Sequence, residues 1–292
     1  WYLTQSYTAT AMTIIGNDLN LDLNGKTVTM GQGGAARFLR VDKNVSITDT
    51  AGGGAFVKDA ATSYTIWGTG VWVYNGGVLD WYAGTIDGNN AAGSADAGAL
   101  LIGSGCTFNM YGGTIQNGKA SYGGNIKVQG TLNLHDGIIR GGVASTGGGN
   151  IYAVDSTAVV NMYGGTITGG SGNGNWGGNV TLYNSAVMNM SGGQIVDGIA
   201  GGAANNAKAN MMIRNATLNI SGGYISGGIH SFIAAGTINA SGSAKIYNEN
   251  GGKQITLLDG TNIAMNVNVT GALNSDAKLM VENGTEGTVA VS

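Results

Sequence analysis

The residues whose types could support chemistry are few and thinly spread. The densest group is Lys127, His135, Asp136 and Arg140. A histidine next to a carboxylate, with two cations a few residues away, could serve acid–base cleavage of a sugar–sugar bond, one group giving a proton and another taking one. His135-Asp136 also breaks a local pattern, because related segments of the chain carry Tyr-Gly at that place. The competing reading is a solvated corner where such drift has no consequence. Elsewhere acids are scarce: between residues 156 and 248 the only one is Asp197, so that stretch cannot house a carboxylate pair. His230 has no neighbouring ligand type, and neither a metal nor a cofactor is expected. Cys106 follows Gly105 into a hydrophobic segment, where a small buried side chain is a simpler reading than a reactive thiol.

The chain that must position these groups has an unusual composition. Gly makes up 55 of 292 residues and there is no Pro, yet the apolar fraction is 42%, too high for a disordered Gly-rich linker. Such a mixture suits many tight turns between short strands. Charged residues are only 10%, with a net charge of −3 and no Lys/Arg cluster, which argues against nucleic-acid binding. One cysteine excludes an internal disulfide, and no apolar run is long enough to cross a membrane as a helix. The chain begins at Trp1 without Met and is expected to be a mature or excised segment of a longer exported protein.

Internal repetition decides the fold. One phrase recurs as Thr107-Phe-Asn-Met-Tyr-Gly-Gly-Thr-Ile115, Thr131-Leu-Asn-Leu-His-Asp-Gly-Ile-Ile139 and Val159-Val-Asn-Met-Tyr-Gly-Gly-Thr-Ile167, then as Val187-Met-Asn-Met-Ser-Gly-Gly-Gln-Ile195 and Thr217-Leu-Asn-Ile-Ser-Gly-Gly-Tyr-Ile225. A worn copy starts at Thr237. The central Asn stands at 109, 133, 161, 189, 219 and 239, and Asp22, Ser46 and Asp80 are expected to hold the same place in earlier, degenerate copies. A second phrase precedes the first, with Gly-Gly before Asn125, Asn150 and Asn179, and an equivalent Asn210. Each repeat thus carries three short alternating segments separated by Gly, which is the pattern of strands, not of helix.

The expected fold is all-β: a right-handed, single-stranded parallel β-helix of about 11 to 12 coils, each of 20 to 34 residues. It forms one domain over 1–292, with irregular coils in 1–105, regular coils in 106–248 and closing coils in 249–292, the last suggested by Ile255, Leu257, Ile263, Met265, Val267, Val269, Leu279, Val281, Val289 and Val291. Alternation points Phe108, Met110, Ile115, Leu132, Leu134, Ile139, Val160, Met162 and Ile167 inward. The two Asn series should stack as rows, facing outward or into a corner, and the longer gaps, 46 to 80 and 189 to 219, should bulge as loops.

Two further rows are expected to point outward. One contains Trp72, Leu101, Lys127, Tyr152, Thr181 and Met212; the other contains Tyr82, Tyr111, His135 and Tyr163, followed by Ser191 and Ser221. Such aromatics could be a structural ladder, a sugar platform or a protein contact. Trp72, Tyr74, Tyr82, Tyr111, Tyr152 and Tyr163 are the candidate binding residues, which places a partner on the N-terminal half. Thr107, Thr131, Thr217 and Thr237 also recur, as ice-binding solenoids require, but Val159 and Val187 interrupt them.

The opening Asp18-Leu-Asn-Leu-Asp-Leu-Asn-Gly-Lys-Thr-Val28, the segment Ser46-Ile-Thr-Asp-Thr-Ala-Gly-Gly-Gly54 and the repeated Met-Tyr/Ser-Gly-Gly-x-Ile phrase resemble β-helical regions of large, adhesin-like bacterial surface proteins, within the broad pectin-lyase-like class. The resemblance covers nearly the whole chain. It implies a secreted or cell-surface binding or spacer module that meets a glycan or a host or bacterial surface protein without entering a membrane. Because enzymes of the class cleave polysaccharides, a lyase or hydrolase centred on Lys127, His135, Asp136 and Arg140 is the alternative, and ice binding a minor one.

Overall fold

A computed structural model describes residues 1–31, 37–59, 69–91, 96–173, 176–200, 210–226, 229–230, 236–247, 255–256, 266–279 and 281–282. Of the sequence expectations, the side chain of His230 and residues Leu257, Ile263, Met265, Val289 and Val291 lie outside this set, as do 60–68 and 201–209 within the two longer gaps.

The chain folds as a parallel β-solenoid, with no helix among the described residues. One coil shows the path. Thr107–Met110 lies in a first sheet, Thr114–Gln116 in a second and Ile126–Val128 in a third, after which Thr131–Leu134 returns to the first. Among the described residues, stacked coils build a first sheet of ten strands and second and third sheets of eleven each, all in parallel register. A small fourth sheet, of which Lys119–Ala120 and Val143–Ala144 are members, runs between the second and the third.

Register follows the phrase. Thr107, Phe108, Asn109 and Met110 pair with Thr131, Leu132, Asn133 and Leu134 one coil on. Strand alternation sends every second side chain inward, and like falls on like from coil to coil. All nine residues expected to face inward are fully buried, and Cys106 is buried as well. The apolar column formed this way is continuous from Leu23 to Ile246.

The first repeat is set two residues earlier than its sequence suggests. Ser46 pairs with Asn20 on one side and Asp80 on the other, so Asn20, not Asp22, occupies the ladder position. Leu19-Asn-Leu and Leu21-Asp-Leu share one alternation, and a shift of two keeps every side chain on its face, so alternation cannot separate them. Asp22 instead accepts bonds from the hydroxyl and backbone N–H of Thr50 and from the N–H of Asn24, which hold its carboxyl below the usual range.

Candidate functional site

The two Asn series form two ladders of different kind. On the first sheet the side chains face outward, and each amide nitrogen donates to the oxygen one coil earlier. Asn133 donates to Asn109 at 2.7 Å, and Asn161, Asn189, Asn219 and Asn239 continue the chain at 2.8 Å. Asn268 donates to Asn239, and at the other end Asn109 donates to Asp80, which does replace an Asn as expected. Ladder bonding uses one N–H and one lone pair of each amide and leaves it a second N–H and a second lone pair.

The second ladder is buried at the corner leading into the third sheet. The Asn150 oxygen accepts from the Asn125 amide and the Gly142 backbone N–H, while its nitrogen donates to the Thr168 carbonyl and to Asn179. Asn179 repeats the arrangement toward Gly170, Val196 and Asn210. All four hydrogen-bonding capacities are filled, which is what burial of an amide requires.

Two residues past each outer Asn, the chain turns from the first sheet into the second. The turn is narrow. A side-chain carbon on Gly112 would lie 2.6 Å from the carbonyl of Tyr82 one coil back, and Gly164 faces the His135 carbonyl in the same way. One coil beyond Gly165, Gly193 has φ of 76°, and a methyl there would come within 2.6 Å of Met162. This corner holds Tyr82, Tyr111, His135 and Tyr163 in one stack, with centroids 4.7, 4.7 and 4.8 Å apart and planes within 18°. The strand spacing of about 4.8 Å supplies the stacking distance. Each flat face inside the stack is covered by its neighbour. Partial burial pushes the Tyr111 hydroxyl above its ordinary value, with Asp80 adding to the effect.

The stack ends where Ser191, and then Ser221 and Ser241, take the ring position. Met162 pairs with Met190, so Ser191 lies directly one coil beyond Tyr163. Lost ring volume leaves a trough of about 620 Å³. Tyr163 closes one end and is 52% exposed. Asn161, Asn189, Asn219 and Asn239 form one side, and Ser191, Ser221 and Ser241 the other. Sequence reasoning missed this concavity. The signal was present as the change from Tyr to Ser at constant register, which reads as thinning aromatics until the coils are stacked.

The remaining expected sites scatter. In the third sheet Trp72, Leu101, Lys127, Tyr152, Thr181 and Met212 align as anticipated. They point away from the central core, but Leu101, Tyr152, Thr181 and Met212 are at most 5% exposed, so this row is not an open platform. The connections between the second and third sheets fold back over it. Gly177 donates its N–H to the Thr181 hydroxyl, Tyr122 packs 5.3 Å from Tyr152, and Trp176 meets Tyr152 edge-on. Burial drives the Tyr152 hydroxyl far above its ordinary value. Lys127 is paired with Asp96 at 2.8 Å beneath the same cover. Trp72 and Tyr74 pack together at 4.1 Å, and Arg40, held by Asp42, lies over both.

The group Lys127, His135, Asp136 and Arg140 is therefore not a cluster. Lys127 lies on the third sheet with Asp96, and His135 is inside the ring stack. Arg140 lies on the second sheet, donating to the Gln116 side chain. Asp136 accepts from the Gly137 N–H and borders a separate hollow of about 470 Å³ on the second sheet, whose other charged side chain is Lys245. No group of three or more potential metal ligands occurs among the described residues.

No protein family, curated protein or solved structure matches the chain.

Proposed function

We propose that the chain is a rigid binding or spacer module, adhesin-like and displayed outside a bacterial cell, which meets its partner along the corner between the first and second sheets. The observation that carries this reading is that corner itself. It presents an exposed four-ring stack running into an open polar trough, built on an uninterrupted ladder from Asp80 to Asn268. The outer ladder beside this corner and the continuous core behind it hold its groups in place, and preorganised groups bind at lower entropic cost. The lyase or hydrolase alternative has less support, because Lys127, His135 and Arg140 sit in different surroundings and the hollow by Asp136 holds one carboxylate.

The test is to display the immobilised chain to a glycan array and to a panel of host and bacterial surface proteins at physiological salt. Specific binding to any partner supports a contact module. Binding to none leaves only the spacer role.

A further inference from the structure

We infer that the trough beginning at Tyr163 binds a neutral glycan, with one sugar ring stacked on the open face of Tyr163 and the next sugars lying along the Asn189–Asn219–Asn239 row. The inference rests on the contact-module reading and adds to it a ligand class and a place.

The stack sets the first requirement. Tyr82, Tyr111, His135 and Tyr163 follow one another at one ring per coil, and each covers the next. An inner ring offers a ligand only its edge. Tyr163 differs, because the place one coil beyond it is held by Ser191. A flat ligand ring entering that place would meet Tyr163 at the spacing the protein already uses for its own rings. The C–H faces of a pyranose suit such a platform.

The lining sets the second requirement. The trough's polar lining is the Asn row, the Ser row and Thr270, and among the described residues no carboxylate, ammonium or guanidinium lines it. An ionic ligand would lose hydration there without gaining a partner of opposite charge. Met190 and Ile220 are at most 1% exposed and offer no apolar anchor of the kind protein interfaces use.

The third requirement is repetition. Each coil along the trough offers one outer Asn with an N–H and a lone pair not used by the ladder, and one Ser hydroxyl beside it. These sets recur every ~4.8 Å. A chain of hydroxyl-rich rings can use such a series of paired donors and acceptors.

The experiment uses soluble hexasaccharides of glucose, xylose, mannose and N-acetylglucosamine, titrated into the whole chain and its variants by calorimetry. Ser191→Tyr extends the protein's own stack over Tyr163, in a conformation the earlier coils already adopt. Tyr163→Ala removes the platform. Ile199→Ser alters an exposed residue of the fourth sheet and serves as the control. The expected result is that at least one hexasaccharide binds the parent and the control equally. Both trough variants should lose about tenfold or more in affinity while keeping the parent's circular dichroism. Equal binding by parent and Ser191→Tyr would overturn the site. Binding of a surface protein but of no hexasaccharide would overturn the ligand class and leave the contact-module reading standing. Absence of any partner would overturn both.

Discussion

Asn109 donates its side-chain amide to the Asp80 carboxylate at 2.7 Å, and this bond sets the direction of the whole outer ladder. A carboxylate only accepts. Asn109 must therefore turn its nitrogen toward Asp80 and its oxygen toward Asn133, and each later Asn copies that orientation up to Asn268. The buried ladder runs the other way, from Asn125 to Asn210, because a backbone N–H and a backbone carbonyl fix the two ends of the Asn125, Asn150 and Asn179 amides.

Asp80→Ala should lower the unfolding free energy by about 1 to 2 kcal/mol, because it removes a charge-assisted acceptor. Asp80→Asn keeps an acceptor oxygen and should cost less than about 1 kcal/mol. Urea unfolding of the two variants checks the order. An Ala variant as stable as the parent would mean that the terminal carboxylate adds nothing net.

The ladders should respond unequally to truncation. Asn150→Ala leaves the Gly142 N–H, the Thr168 carbonyl, the Asn125 amide and the Asn179 oxygen buried without that partner. The Asn125 amide, the Thr168 carbonyl and the Asn179 oxygen keep backbone partners in Arg140, Gly141 and Gly170, so the full penalty falls on the Gly142 N–H and on the freed N–H of Asn125. At about 1 to 3 kcal/mol for each of these two groups, the expected loss is about 2 to 6 kcal/mol. Asn161→Ala lets its neighbours turn to water and should cost about 1 kcal/mol. Comparing their urea midpoints with the parent tests this, and similar losses would contradict the distinction between them.

Replacing Tyr82, Tyr111 and Tyr163 together by Ser copies the protein's own coils at Ser191, Ser221 and Ser241. The solenoid should survive with an unchanged far-ultraviolet spectrum. Three stacked contacts disappear, so stability should fall by about 1 kcal/mol for each. Loss of the β signal would show instead that the rings are required to form the corner.

Lys58 faces inward, fully buried, and burial pulls its ammonium down to about 8. An unfolded lysine keeps its proton up to about 10.4. Between these values the unfolded chain binds more protons, so stability should rise with pH from about 8 to 10.4, by up to about 3 kcal/mol. Below that window the burden of charging a buried amine is fully present. Denaturant unfolding at pH 7 and pH 10 should show the rise in the parent and a smaller one in Lys58→Met. Identical pH dependence in the two proteins would remove Lys58 as its source.

The sequence by itself determined the solenoid, its inward residues and the existence of two Asn rows. Those features need only a period of two along each strand and a repeated phrase that lays Asn on Asn and Met on Leu, both of which are local. Tertiary structure decided what lies one coil away and what folds over the outside. Only stacking shows that Asn20 rather than Asp22 shares the ladder's register position, that the faces of Tyr111 are taken by Tyr82 and His135, and that Ser191 leaves Tyr163 open. Only the return of the connecting segments explains why Tyr152 is covered and why Lys127 meets Asp96 rather than His135. Alternation tells which way a side chain points from the core, but exposure depends on connections whose path carries no period.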